Sequence, residues 1–301
     1  MPSIPIICGP TGSGKTAVAL ELASFYPIEI VSADSRQVVR YLDIGTAKPT
    51  ADERRKVPFH LLDLIDPGER YSAFRFITDA SRVIGEILAR GHLPVVVGGT
   101  GLYLRALTEG VVEIEEPDLQ LRERLEKEAV ALGPEKMYQR LKEIDPLEAA
   151  RIHPNNRVKV LRALEIFYLT GKTKSELTAT GGYRKGDFEF KYHCLVPDRA
   201  LLYERINERT DEMIAAGWLA EIEQLCRDGW ADRIRAANII GYNELIGVMQ
   251  GQMKLEYAVG QIKQQTRRYA KRQITWFRHQ TDGCFLKSAN ELRTQFGDFQ
   301  R

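Results

Sequence analysis

Eight residues near the N-terminus, Gly9-Pro10-Thr11-Gly12-Ser13-Gly14-Lys15-Thr16, constrain the fold more than any other stretch of the chain. They satisfy the pattern G-x-x-x-x-G-K-[ST]. Apolar "IPIIC" runs directly into them and helix-patterned "KTAVALELASF" opens inside them, which is the context a phosphate loop requires. The glycines let backbone N–H groups converge on an anion at the positive end of a helix. In that setting Lys15 neutralises phosphate oxygens and Thr16 is the expected ligand of Mg²⁺. The motif specifies strand, anion loop and helix, and says nothing of the reaction.

The same rhythm continues. "IEIVSAD" reads as a second strand, "AFRFITDASRVIGEILARG" as a helix and "LPVVVGG" as a third strand. Short runs that are apolar on both faces, alternating with helices, predict a parallel sheet flanked by helices, an α/β fold of the P-loop NTPase type. From about Glu115 the pattern becomes amphipathic helix, punctuated by Gly133-Pro134, Asp145-Pro146 and His153-Pro154. "TATGGYRKGD" reads as a mobile glycine-rich loop, after which "FEFKYHCLV" returns to strand. The expected organisation is therefore a catalytic core of residues 1–115 and 190–301, interrupted by a mainly helical insertion domain at 116–189. From Arg199 to the end the expectation is helix.

Composition narrows less. The formal net charge of +2 selects no partner, so any nucleic-acid role has to rest on local clustering. Cys8, Cys194, Cys226 and Cys284 are scattered, with no pair at metal-ligand spacing, and fit reduced thiols in a cytoplasmic protein. The start of the chain lacks a signal-peptide pattern, and no apolar run approaches the roughly 20 residues needed to span a bilayer. A soluble, cytoplasmic protein is expected. His60 and His153 have no second ligand at metal spacing and read as structural.

Two further features bear on chemistry, each with two readings. The carboxylate of Asp34 follows the second strand, where it can hold metal or accept a proton, or simply cap a following helix. "LPVVVGGTG" ends in Gly98-Gly99-Thr100-Gly101 instead of a metal-binding aspartate. Glycines there admit a close-lying substrate, or make a tight strand-to-helix turn. Near the C-terminus, Lys263, Arg267, Arg268, Lys271, Arg272 and Arg278 fall in a stretch without an acidic residue. In a helix, Arg268 and Arg272 share one ridge, suited to a phosphate backbone or to an ordinary solvated face.

Taken together, "GPTGSGKT", "VSADSRQVVRYLDIGTAKP", "FHLLDLIDPGERYSAFRF", "VVVGGTGLYLRAL", "RALEIF" and "TRRYAKRQITWFR" resemble the bacterial tRNA dimethylallyltransferases. The resemblance runs from the first strand to about Arg278 and is weaker in the insertion. It implies Mg²⁺-dependent transfer of dimethylallyl from dimethylallyl diphosphate to the N6 amine of the adenosine 3′ of the anticodon. Residues Thr11 to Thr16 would hold the diphosphate, and Arg209 would reach its oxygens. Asp34 would act as general base, and Thr100 would line the channel where the two substrates meet. Asp34, Ser35, Arg36 and Gln37 would meet the tRNA, with Gln37 reading a neighbouring base. Arg122, Arg157, Lys159 and Arg162 of the insertion would lie against the anticodon stem-loop. A monomer is expected. Val39 departs from the pattern, which usually has Tyr there, and puts any stacking or hydrogen bond from that position in doubt. The residues alone leave open a P-loop kinase or NTPase, a transferase acting on free adenine nucleotides, and a nucleotide-gated RNA-binding module.

Overall fold

The computed structural model describes residues 3–112, 118–180, 183–184, 188–281, 284–286 and 290–291. The chain divides into two compact units. Residues 1–108 with 186–301 form one, and residues 109–185 form the other.

The first unit is built on six parallel strands. They are β1 (Ile4–Cys8), β2 (Ile28–Ser32), β3 (Phe59–His60), β4 (Leu93–Gly98), β7 (Phe190–Leu195) and β8 (Cys284–Leu286), in the order β3-β2-β4-β1-β7-β8. The central strands are buried along their length. Alternation sends Ile4, Ile6, Val31 and Val96 to one core, together with the helix Ala73–Ala89. Ile7, Ile30, Val95 and Val97 go to the other, with Val18 and Leu22 of the helix Lys15–Ala23. Burying Ile6 and Ile7 on these opposite faces contributes on the order of 2–3 kcal/mol each. The helix Ala73–Ala89 starts where Ser72 Oγ accepts the Arg75 amide at 3.1 Å. It buries Phe76, Ile77, Ala80, Val83, Ile84 and Ile87 on one stripe.

Two strands depart from the sequence reading. β3 is only two residues long, too short to show a period. β8 interrupts what reads as continuous helix to the C-terminus, because Cys284–Leu286 pairs in register with His193–Leu195. The thiols that look scattered in the sequence are partly brought together: Cys8 and Cys194 face each other across β1 and β7 with Sγ atoms 2.8 Å apart, both free and buried.

A third cluster of the first unit gathers around the buried Trp218 and Tyr242, with Leu42, Ile65 and Ile246. Trp218 fills its space tightly, since a methyl group on Gly241 would come within 2.0 Å of the indole.

The second unit is mainly helical. Its core joins Leu121, Leu125 and Leu141 of Leu119–Ile144 to Val160, Leu161 and Leu164 of Arg157–Thr170. Leu119–Ile144 is broken at Gly133, whose φ of +81° precedes Pro134. The chain enters and leaves the unit through an antiparallel pair, β5 (Val111–Val112) and β6 (Tyr183–Arg184). Those strands bond to each other and not to the parallel sheet, so the boundaries fall at 109 and 185 instead of 116 and 189. Of the expected glycine-rich loop, Gly181, Gly182 and residues 185–187 lie outside the described residues.

Candidate active site

β1, β2 and β4 are neighbours in a parallel sheet, so their carboxyl ends open side by side on one edge, where such sheets bind ligands. The phosphate loop follows β1. Gly9 has φ +148°, and a Cβ there would sit 2.2 Å from the Leu195 carbonyl oxygen at the end of β7. Gly14, at φ +92°, caps the helix Lys15–Ala23 without any side chain bonding to the first-turn amides, which leaves them to an anion. Lys15 Nζ donates to the carbonyls of Gly9 at 3.0 Å and Pro10 at 2.8 Å. Burial lowers its pKa to about 8, opposed by the charge of Asp34 and helped by that of Arg209. Inside the loop the Ser13 hydroxyl is buried without a hydrogen-bond partner. An orphaned buried hydroxyl suits a further acceptor such as a phosphate oxygen.

Arg209, on the helix Arg199–Ala215, closes the other side. Its guanidinium donates to Thr11 Oγ1 at 2.5 Å. Burial lowers its pKa, with Asp34 and Glu212 pulling the other way. Asp34 is half-buried beyond β2, and no helix starts after it. Its Oδ1 accepts the Arg36 amide at 2.8 Å, so it closes a local turn, and the helix-cap reading falls. Lys15, Thr16, Ser32, Asp34, Gln37 and Gly98 line one cleft, with Ile30, Pro49, Phe59 and Val97 as its apolar wall. The Asp34 charge also raises the pKa values of Tyr103 and Tyr269, after burial, the latter to about 12.

The remaining residues of the β2 loop divide. Thr100 Oγ1 accepts the Ser35 amide at 2.9 Å, joining the ends of β2 and β4. Arg36 is exposed. Gln37 is engaged at both ends of its amide: Oε1 accepts from Ser32 Oγ at 3.1 Å, and Nε2 donates to the Ala47 carbonyl at 2.9 Å. It braces the loop. Val39 is buried in the cluster around Trp218, where an apolar side chain fits.

One residue that sequence reasoning missed links these parts. Gln273, buried on the helix Leu255–Gln280, accepts the Thr11 amide at 2.8 Å and donates to the Gly99 carbonyl at 2.8 Å. It ties the phosphate loop to the end of β4. The glycines there have packing reasons. A Cβ on Gly98 would meet the Ala33 carbonyl oxygen at 2.2 Å, one on Gly99 would meet Gln273 at 2.5 Å, and one on Gly101 would meet the Trp276 indole at 2.5 Å. A lone Gln in a basic helix carries no signal in the sequence that could have singled it out.

The basic helix sorts its charges. Lys263 pairs with Asp211, and Arg267 donates to Asn207 Oδ1 at 2.6 Å. Arg268, Lys271, Arg272 and Arg278 are exposed and have no carboxylate partner among the described residues. Tyr269 and Trp276 are half-buried and Phe277 is fully buried, so these three aromatic residues of the basic stretch turn from solvent, whereas Tyr257 in the first turn of the helix is exposed.

In the second unit, Arg122 and Lys159 are exposed, whereas Arg157 pairs with Glu126 and Arg162 with Glu165. His60 Nε2 donates to the Glu29 carboxylate at 2.6 Å, in keeping with a structural histidine. Among the described residues no group of three His, Cys, Asp or Glu can hold a metal, and no helix is long and apolar enough to cross a membrane. The donors fit a hard cation instead, because the Thr16 hydroxyl and the Asp34 carboxylate are oxygens on one cleft wall.

Comparison with known proteins finds relatives over most of the chain. A family model described as IPP transferase matches residues 37–280, and one described as isopentenyl transferase matches residues 2–62. The chain is 42% identical over 291 residues to tRNA dimethylallyltransferase 1 of Syntrophotalea carbinolica, covering 97% of this chain and 93% of the relative. It is 45% identical to the tRNA dimethylallyltransferase of Geobacter metallireducens, covering 92% and 90%. Among solved structures, the full-length tRNA isopentenylpyrophosphate transferase of Bacillus halodurans superposes with a TM-score of 0.70 at 37% identity, covering 99% and 97%. A eukaryotic dimethylallyltransferase captured acting on tRNA gives a TM-score of 0.78 at 31% identity, covering 92% of this chain and 70% of the other. With the IPP transferase model matching residues 37–280 and relatives 42% and 45% identical over 97% and 92% of the chain, the protein that carries this phosphate loop and the carboxylate beyond β2 belongs to the IPP transferase family.

Proposed function

We propose that the protein transfers a dimethylallyl group from dimethylallyl diphosphate to the N6 amine of the adenosine immediately 3′ of the anticodon in tRNA, acting as a cytoplasmic monomer with Mg²⁺. The observation that carries this reading is the convergence of Lys15, Arg209 and Asp34, whose charges act on one another around a single loop. Residues Gly9 to Thr16 hold the diphosphate. The first-turn amides, Lys15 and Arg209 face the oxygens on which negative charge builds as the allylic C–O bond breaks. Bound Mg²⁺, held by Thr16 and by diphosphate oxygens, would supply further neutralisation of that leaving group.

The acceptor amine is a weak nucleophile because its lone pair is conjugated with the adenine ring. Asp34 directs that lone pair by accepting one N–H and takes the proton as the new C–N bond forms. Thr100 fixes the β2 loop through Ser35 and lines the meeting point of the substrates. The adenine must leave its stack to reach them, at a cost of a few kcal/mol. Arg268 and Arg272 take RNA phosphates, as do Arg122, Arg157, Lys159 and Arg162 on the helical unit. Arg157 and Arg162 must exchange a carboxylate for a phosphate to do so.

The test is incubation with dimethylallyl diphosphate, Mg²⁺ and unmodified tRNA, followed by nucleoside mass spectrometry. One prenylated adenosine per tRNA is expected. ATP consumed in step with product, or no prenylated nucleoside, rejects the reading in favour of a phosphoryl-transfer enzyme or a binding module.

A further inference from the structure

The loop after β2 holds an exposed aromatic residue in a conformation that costs it energy. Tyr41 has φ +67° and is 52% exposed. It is the only aromatic among the five non-glycine residues with positive φ in the described chain. A bulky side chain in the left-handed region is strained and persists only where its surroundings impose it. They do so here. The Arg40 amide donates to the Ile65 carbonyl at 2.8 Å, and the buried Lys48 Nζ donates to the Val39 carbonyl at 2.6 Å.

The Tyr41 ring lies 6.0 Å from that of Trp230, tilted by 30°, and the Arg233 guanidinium sits 5.2 Å over Trp230. The Arg233 stem rests on Gly68, where a methyl group would come within 2.9 Å of it. Three acids of this face are ion-paired within it: Asp43 and Asp63 share Lys48, Arg54 also reaches Asp63, and Asp66 pairs with Arg40. Arg36 and Arg233 are exposed and without a carboxylate partner among the described residues.

We infer that Tyr41, Trp230 and Arg233 form a stacking platform for an unpaired RNA base, four residues beyond the segment Asp34–Gln37. Aromatic rings and guanidinium planes are the surfaces on which splayed bases stack, and the uncompensated arginines suit the adjoining phosphates. This inference rests on the proposal that the protein binds tRNA.

The test uses Tyr41→Gly, which removes the ring and accepts the positive φ without strain. Affinity for an unmodified anticodon stem-loop RNA is measured by fluorescence anisotropy at fixed salt, beside thermal unfolding and the affinity for inorganic pyrophosphate. The expected result is RNA binding about tenfold weaker, an unfolding temperature equal to or above that of the parent, and unchanged pyrophosphate affinity. Tyr41→Phe should bind RNA as the parent does. Unchanged RNA affinity in Tyr41→Gly overturns the platform alone. A loss matched by a lower unfolding temperature and weaker pyrophosphate binding overturns it too, by making Tyr41 structural. A parent chain that does not bind the RNA at all removes the proposed function, and the platform with it.

Discussion

Asp34 and Lys15 separate the two halves of the proposed chemistry at the scale of single residues. Asp34→Ala should retain tRNA binding and lose roughly 10²-fold or more in turnover, the usual worth of a positioned general base. Single-turnover kinetics beside a binding isotherm check this, and unchanged turnover removes Asp34 from its role. Lys15 gives a pH signature. Its pKa in the fold is lowered from 10.5 to about 8, so its charge is present below pH 8 and fades above it. Pyrophosphate affinity of the free enzyme, followed by calorimetry, should therefore fall as pH rises through about 8. In Lys15→Arg, whose charge persists, the break should vanish. The stability relation runs the other way. The unfolded chain holds this proton up to a higher pH, so the unfavourable contribution of a buried, charged Lys15 is relieved as pH rises from 8 to 10.5.

Two segments of the helix Leu255–Gln280 do different work. Its buried face carries Gln273, whose amide satisfies one donor and one acceptor from two separate loops. Gln273→Leu keeps much of the volume and leaves the Thr11 amide and the Gly99 carbonyl unpaired, at a cost of roughly 1–3 kcal/mol each where they stay dry. The expected outcome is a lower unfolding midpoint together with a raised KM for the prenyl donor. Its exposed face carries Arg268 and Arg272, one turn apart. Replacing both with Ala should weaken tRNA binding and flatten the plot of log affinity against log salt, by roughly 0.7 to 0.9 per lost phosphate contact. A slope identical to the parent's assigns this face to solvent.

Across the parallel sheet, Glu29 on β2, which is 3% exposed, ties β2 to the edge strand β3 and to the segment that leads into β4. It accepts from Arg90 at 3.0 and 2.7 Å and contacts His60 and His92 at 2.6 and 2.8 Å. The Arg90 hydrogen bonds, against desolvation, hold its pKa at about 2, below the ordinary value of 4.5. A depressed carboxylate stabilises the fold fully above pH 4.5, and that contribution is lost as pH falls from 4.5 towards 2. Acid unfolding followed by circular dichroism should show this loss. In Glu29→Gln the pH-dependent part of it should be absent and the protein less stable at neutral pH, since Arg90 is left without its carboxylate.

The phosphate loop, its flanking strand and helix, the parallel sheet and the separate helical texture of the middle can all be read from the order of residues alone. Each is a local pattern: glycine spacing, apolar runs of strand length, and helical periodicity. The same order also points to Asp34, because strand ends in a parallel sheet are predictable from it. Tertiary structure decided what depends on distant residues meeting. Gln273 is separated from Thr11 by most of the chain, so no local signal marks it. β8 owes its existence to a neighbour in β7, and the glycines after β4 are required by Ala33, Gln273 and Trp276. The same holds for charge: composition counts the cations of the basic helix and the insertion alike, but only packing separates Arg268 and Arg272, turned to solvent, from Arg157 and Arg162, which already hold carboxylates.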